Sequence, residues 1–195
     1  MTHYIMIGCV MNEMGEEAMD VKNCGFFAQP PIRFCFGWDE EDEQCIMLKQ
    51  VVLQQIQLLR KQGCNSFFVI PDSGAGLWFC EMINILQSSH SDLMLQCILP
   101  HEELATKWHP ALRQRYFTVL EECTHLTTAA RPDDSDAVEK ALKYMIKQCD
   151  FVVAVYNPRL NHGSAIDYAM TDLYVSKKTC LLIDPETLEM KLLRA

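Results

Sequence analysis

The feature that most constrains this chain is a repeated switch between short, continuous apolar runs and longer stripes of helical spacing. The runs are Cys24–Ala28, Ser66–Ile70, Met94–Leu99, Phe151–Tyr156 and Thr179–Ile183, with a weaker one at Thr124–Thr128. Continuous rather than alternating apolarity means burial on both faces, as in parallel strands covered by helices. Between the runs, Leu48, Val52, Ile56 and Leu59 recur at helical spacing and stop near Gly63, a candidate C-cap glycine. Further stripes are Phe79, Ile83 and Leu86; Leu112, Tyr116, Val119 and Leu120; Val138, Ala141, Leu142 and Met145, with Asp136 as expected N-cap; and Ile166, Ala169, Met170 and Leu173. Strand–helix alternation of this kind predicts a three-layer, Rossmann-like α/β fold with a mostly parallel central sheet flanked by helices.

No linker, repeat or low-complexity stretch interrupts the 195 residues. The expected organisation is one domain over residues 22–195 behind an N-terminal extension, residues 1–21. The first twenty residues lack the basic start and long apolar core of a signal peptide. No apolar run approaches the roughly 20 residues that span a bilayer, so no membrane contact is expected. A net charge of −9 without a Lys/Arg cluster argues against nucleic acid as a general partner. The acidic groups at Asp39–Glu43 and Asp133–Asp136 read as solvated helix starts. Ten cysteines are scattered without a C-x-x-C pair, mostly inside apolar stretches, which suits reduced thiols and a cytoplasmic location. The six histidines show no metal-ligand spacing. Neither a metal nor a cofactor is expected.

Open parallel sheets bind ligands beyond the carboxyl ends of their strands, where helix N-termini offer free N–H groups. Three loops qualify: Gln29-Pro30-Pro31, Pro71-Asp72-Ser73-Gly74-Ala75-Gly76, and Asn157 through Ser164. In the second, Asp72, Ser73, Gly74 and Gly76 are candidate ligand contacts, although a tight turn would need the same glycines. It is neither a Walker loop nor G-x-G-x-x-G, and Pro71 replaces the first glycine of a G-x-S-x-G elbow. In the third, Gly163 and Ser164 suit an anion, while a plain N-cap by Ser164 explains the serine almost as well. Trp108, Arg113, Arg115 and Tyr116 form a polar-aromatic cluster that either covers the site or packs on a helix with a solvated edge.

Taken in order, several segments resemble the YpsA/YoqJ-like branch of the SLOG superfamily, itself related to the LOG proteins and DprA. They are Phe36-Gly37-Trp38-Asp39-Glu40-Glu41-Asp42, Leu77-Trp78 with Glu81, Lys107-Trp108, Arg113-x-Arg115-Tyr116, Tyr144-Met145, Val153–Asn157 and Ile166-Asp167-Tyr168-Ala169. The likeness runs from about Cys24 to Pro185. The departures fall in the loops. The family's Gly-His-Arg-Pro reads Ala28-Gln29-Pro30-Pro31 here, and Ser-Gly-Met-Ala-x-Gly-Val-Asp reads Val69 through Gly76. Its Gly-Gly-Thr becomes His162-Gly163-Ser164, and an Arg-Asn pair becomes Ala141-Leu142. Replacing an arginine that meets phosphate removes charge-assisted hydrogen bonds worth roughly 1.5–3 kcal/mol each.

The resemblance implies a nucleotide-derived small molecule as ligand class, held by Asp72, Ser73, Gly74, Gly76, Asn157, Gly163 and Ser164, with Trp78 or Trp108 as a stacking surface. The first expectation is thus a non-catalytic binder or sensor with a partly eroded site. The alternatives are a protein-interaction module with a vestigial pocket, or a LOG-like N-glycosidic enzyme using Glu81 as its carboxylate. A protein partner and a homodimer both remain open at this point.

Overall fold

The computed structural model describes residues 21–160 and 163–194. Most of the expected N-terminal extension, and His162 of the late loop, therefore lie outside the described residues. Seven strands form one sheet: β1 (Asn23–Ala28), β2 (Ser66–Val69), β3 (Met94–Leu99), β4 (His125–Thr128), β5 (Phe151–Val155), β6 (Thr179–Ile183) and β7 (Met190–Leu193). Among the described residues, five α-helices flank it: α1 (Glu43–Lys61), α2 (Ala75–Gln87), α3 (Pro110–Glu122), α4 (Ala137–Gln148) and α5 (Ala165–Val175). The strand order is β4-β3-β2-β1-β5-β6-β7, parallel except for the antiparallel β6–β7 pair. This is the expected Rossmann-like, three-layer α/β fold. The strand β7 was not anticipated. It is short, at an edge and only half-buried, so it carries no continuous apolar run.

Side-chain alternation along the strands divides the core. Phe26, Phe67, Leu95, Val153 and Leu181 face α1, α2 and α3. Phe27, Ile98, Val152, Ala154 and Cys180 face α4 and α5. Phe26 stacks on Phe79 of α2 with ring centroids 4.1 Å apart. Full burial of a phenylalanine side chain stabilises by about 1.5–3 kcal/mol, so these anchors hold α2 to the sheet and fix where its N-terminus points.

Local chemistry sets the helix ends. The Asp42 carboxylate accepts from the Gln44 N–H at 2.8 Å and starts α1. Gly63, at φ 100°, follows its end, a conformation that favours glycine. Asp136 stands at the N-cap of α4 but does not cap with its side chain. The expected N-cap position is thus met, with the carboxylate pairing with Lys140 at 2.9 Å rather than with the helix N–H groups.

The chain order reverses at β1. Its neighbours are β2 on one side and β5 on the other, because α4 carries the chain from the β4 edge back across the opposite face. That reversal places three loops beside one another above the sheet: those after β1, β2 and β5. Among the described residues, no helix is long and apolar enough to cross a membrane.

Candidate functional site

At the switch point, Gln29 extends β1 by one residue, its N–H donating to the Val155 carbonyl at 3.0 Å. Its side chain then crosses to the β5 loop. Oε1 accepts from the Asn157 N–H at 2.8 Å, and Nε2 donates to the Asn157 and Leu160 carbonyls at 3.2 and 3.5 Å. Gln29 and Asn157 are 2% and 1% exposed, so these bonds form out of water. The Asn157 side chain is engaged too: Nδ2 donates to Glu186 Oε2 at 3.0 Å, and Oδ1 accepts from the Arg159 N–H at 2.9 Å. A ligand between β1 and β5 would have to break this staple.

The β2–α2 turn is closed in a different way. One oxygen of Asp72, Oδ1, accepts from the N–H groups of Gly74 and Gly76 at 2.7 and 3.2 Å. These are the N-terminal donors of α2, where a phosphate would be expected to sit. The chain's own carboxylate stands there instead. Burial pushes the Asp72 carboxyl up to about 6, against the two N–H donors that pull it down. A Cβ on Gly74 would run into the Pro31 ring, and a Cβ on Gly76 into the Ile70 carbonyl oxygen. Both glycines are needed by contacts within this chain. Ser73 lies between Asp72 and Gly74, half-buried.

A second carboxylate guards α5. The Ser164 N–H and hydroxyl both donate to Asp167 Oδ2, at 2.6 and 2.9 Å, while Oδ1 accepts from the Tyr156 hydroxyl at 2.9 Å. Asp167 is 8% exposed. It was missing from the residues picked out as ligand contacts, although its place three residues after Ser164 is the spacing of a capping box. Gly163, at φ 69°, differs from its counterparts: among the described residues, a Cβ there would meet nothing within 4 Å.

Trp78 and Glu81 belong to an ion network that joins motifs far apart in the sequence. Arg115 holds Glu81 in a two-pronged bond, Nε to Oε1 at 2.7 Å and Nη2 to Oε2 at 2.8 Å. Its Nη1 donates to Glu40 Oε1 at 2.6 Å. Glu40 Oε2 meets Lys49 Nζ at 2.7 Å, and that ammonium sits 4.8 Å from the centre of the Trp78 ring. Burial raises the Glu40 carboxyl, but the hydrogen bonds from Arg115 and Lys49 prevail and hold it down at about 2. Trp78 is 6% exposed, and the cavity between it and the sheet, about 10 Å³, has room for one water. Glu81 and Arg115 line a groove of about 370 Å³ between α2 and α3, away from the three loops. Trp108 packs edge-on against the buried Tyr116, with centroids 5.1 Å apart.

The structure therefore brings Asp72, Ser73, Gly74 and Gly76 together at α2, and Asn157, Gly163 and Ser164 at the β5–α5 loop, and leaves Glu81 elsewhere. Two helix N-termini already carry carboxylates, and the Trp78 ring is buried. Cys45 is raised to about 11 and Cys180 to about 12 by burial, and Cys149 is raised for the same reason. Thiols held protonated in this way are poor nucleophiles. Among the described residues, no group of three or more His, Cys, Asp or Glu side chains is arranged to hold a metal.

Comparison with known proteins agrees with this architecture. Residues 31–188 match the family model for YpsA, described as the YspA SLOG family. The chain is similar to the UPF0398 protein BH1768 of Halalkalibacterium halodurans, 24% identical over 112 residues. That stretch covers 56% of this chain and 59% of the relative. It is also similar to a UPF0398 protein of Bacillus pumilus, 24% identical over 128 residues, covering 64% of this chain and 69% of that one. The family match extends over most of the chain, from the loop after β1 to the loop before β7, and by that measure the chain belongs to the YpsA family of SLOG proteins.

Proposed function

We propose that this chain is a non-catalytic SLOG protein that acts through its surface, with the ancestral crevice closed by its own side chains. The observation that carries this reading is the Asp72 carboxylate on the Gly74 and Gly76 N–H groups. With Asp167 on Ser164, both helix N-termini that would receive a phosphate present an anion of the chain's own. Once ionised, these carboxylates repel a nucleotide phosphate rather than bind it. Against the glycosidase reading, Glu81 is neutralised by Arg115 and stands apart from the loops, so it is not placed as a general base. Ile32 and Trp38, 69% and 54% exposed in the segment between β1 and α1, suit contact with a protein partner, since exposed tryptophan is enriched among interface anchors.

A nucleotide-derived ligand is the second reading. It is favoured by the open space beside Gly163, where a ligand could approach the backbone without meeting Pro31. Thermal unfolding against AMP, ADP-ribose, NAD and cyclic nucleotides separates the two. The surface-acting protein gives no shift with any of them. Saturation of a true site at 100 times its dissociation constant adds about 2.7 kcal/mol, and a shift of that size, lost in Gly163→Asp, would overturn the first reading in favour of the sensor.

A further inference from the structure

A pocket of about 340 Å³ lies beyond the carboxyl end of β3, two strands away from the switch point. The segment between β3 and α3 supplies Glu102, Ala105 and Thr106, and the first half of α3 supplies Arg113, Tyr116 and Phe117. That volume falls among those of pockets that take small molecules, about 300–1,000 Å³. Ala105 and Tyr116 are buried, while Phe117 is 49% exposed. The Phe117 ring meets the Tyr116 ring edge-on, with centroids 5.5 Å apart, so two packed rings make one wall.

The charges in this pocket are of opposite sign and do not pair. Glu102 and Arg113 are both exposed. Among the described residues, neither forms a salt bridge, whereas Arg115 and Lys49 are engaged with Glu81 and Glu40. The helix that carries Arg113 also starts without a carboxylate. Its first turn holds no acidic residue, and His109 caps it, Nδ1 accepting from the Ala111 N–H at 3.4 Å. On α1, α2 and α5 the corresponding place is taken by Asp42, Asp72 and Asp167. The helix dipole and the Arg113 guanidinium therefore both favour an anion at the start of α3. The Thr106 hydroxyl donates to the Glu103 carbonyl at 2.9 Å, which leaves its oxygen able to accept, as Glu102 is, from a cation.

We propose that this pocket binds a free aromatic α-amino acid. The ligand carboxylate meets Arg113, its ammonium meets Glu102 and the Thr106 oxygen, and its ring packs on Phe117 and Tyr116. Each polar contact is a charge-assisted hydrogen bond, about 2.7–2.9 Å long. An anion alone would leave Glu102 unanswered, and a cation alone would leave Arg113 so. A zwitterion carries both charges on one carbon and bridges two protein groups that do not reach each other. The paired rings favour an aromatic side chain, since ring pairs add to the gain from burial. The site is separate from the crevice and stands whichever reading of the crevice holds.

Amide NMR on the full chain, titrated with L-phenylalanine, tests it. A ligand of this size on an open pocket binds near the millimolar range, and saturable shifts are expected at residues 102–117. Phenethylamine, which lacks the carboxylate, and 3-phenylpropionate, which lacks the ammonium, each bind at least about tenfold more weakly. Arg113→Gln and Glu102→Gln each weaken L-phenylalanine by a similar factor. Both positions are exposed, and unchanged amide dispersion verifies that the variants fold. Absence of saturable shifts overturns the proposal, as does 3-phenylpropionate binding as tightly as L-phenylalanine, which would make this a simple anion site. Shifts confined to residues 72–76 and 157–164 overturn it too, because the ligand would then occupy the crevice.

Discussion

The β2–α2 turn and the β5–α5 loop answer the same structural demand in opposite ways. Each leads from a central strand into a helix, and each ends with a carboxylate of the chain's own at the helix start, Asp72 on the Gly74 and Gly76 N–H groups and Asp167 on the N–H and hydroxyl of the N-cap Ser164. The turn is closed by steric contact: Pro31 fills the space over Gly74, and the Ile70 carbonyl fills the space over Gly76. The loop is held by directional hydrogen bonds from Gln29, Asn157 and Tyr156, with free space beside Gly163. Backbone packed against backbone tolerates no added atom. A hydrogen-bonded loop fails only when a bond is lost.

That contrast is most exposed by Gly76→Ala, whose added methyl meets the Ile70 carbonyl with no flexible side chain to yield. Overpacking of this kind costs about 3 kcal/mol, to be measured by urea denaturation. A loss below 1 kcal/mol would show that the turn can relax and that the contrast is false. Gln29→Leu preserves volume but strands the buried Asn157 N–H and two carbonyls. A loss of about 2 kcal/mol is expected, and a neutral result would mean that Gln29 does not staple the loop.

Asp72→Asn sharpens the comparison through pH. The folded carboxyl, at about 6, lies above its ordinary 3.8, so the folded state holds this proton more tightly than the unfolded chain does. The contribution of Asp72 to stability is therefore greatest below pH 4, falls as pH rises from about 4 to about 6, and is level above that. Asparagine keeps an acceptor for both N–H groups and removes the charge. Its advantage over wild type grows across the same window to about 1–2 kcal/mol at pH 7, read from denaturation at pH 4, 5, 6 and 7. A variant weaker than wild type at pH 7 would show the carboxylate to be favoured at the helix terminus. The smallest effect belongs to Gly163→Ala, whose methyl clashes with none of the described residues and which loses the ease of a positive φ, about 1 kcal/mol. A loss as large as that of Gly76→Ala would erase the distinction between turn and loop.

The strands were legible because a parallel strand covered on both faces has no polar side to interrupt it; Phe151–Val155 is buried at every position. The edge strands were faint for the complementary reason. Three of the four residues of β4 are exposed, and β7 pairs on one side only. The crevice rule picked out three loops that the fold does bring together, and the glycines at 74 and 76 were recognised as places of close approach. What approaches them was not legible. Pro31 lies more than forty positions before Gly74, and Gln29 is 128 positions from Asn157, separations at which no local spacing carries information. Glu81 illustrates the same gap. Its motif, Leu77-Trp78 with Glu81, reads as part of a site, whereas the fold sets it against Arg115 on a neighbouring helix.

The sequence by itself determined the alternation of strands and helices, the helix starts within Asp39–Glu43 and at Ser164, and the glycine turns. Each of these follows from the conformational and burial preferences of residues a few positions apart. Only the tertiary structure decided what fills the crevice. The reversal of strand order at β1 brings Gln29, Pro31, Asp72 and Asp167 to the same end of the sheet, and the choice between an open anion site and a self-occupied one depends on which side chains meet there across long stretches of chain.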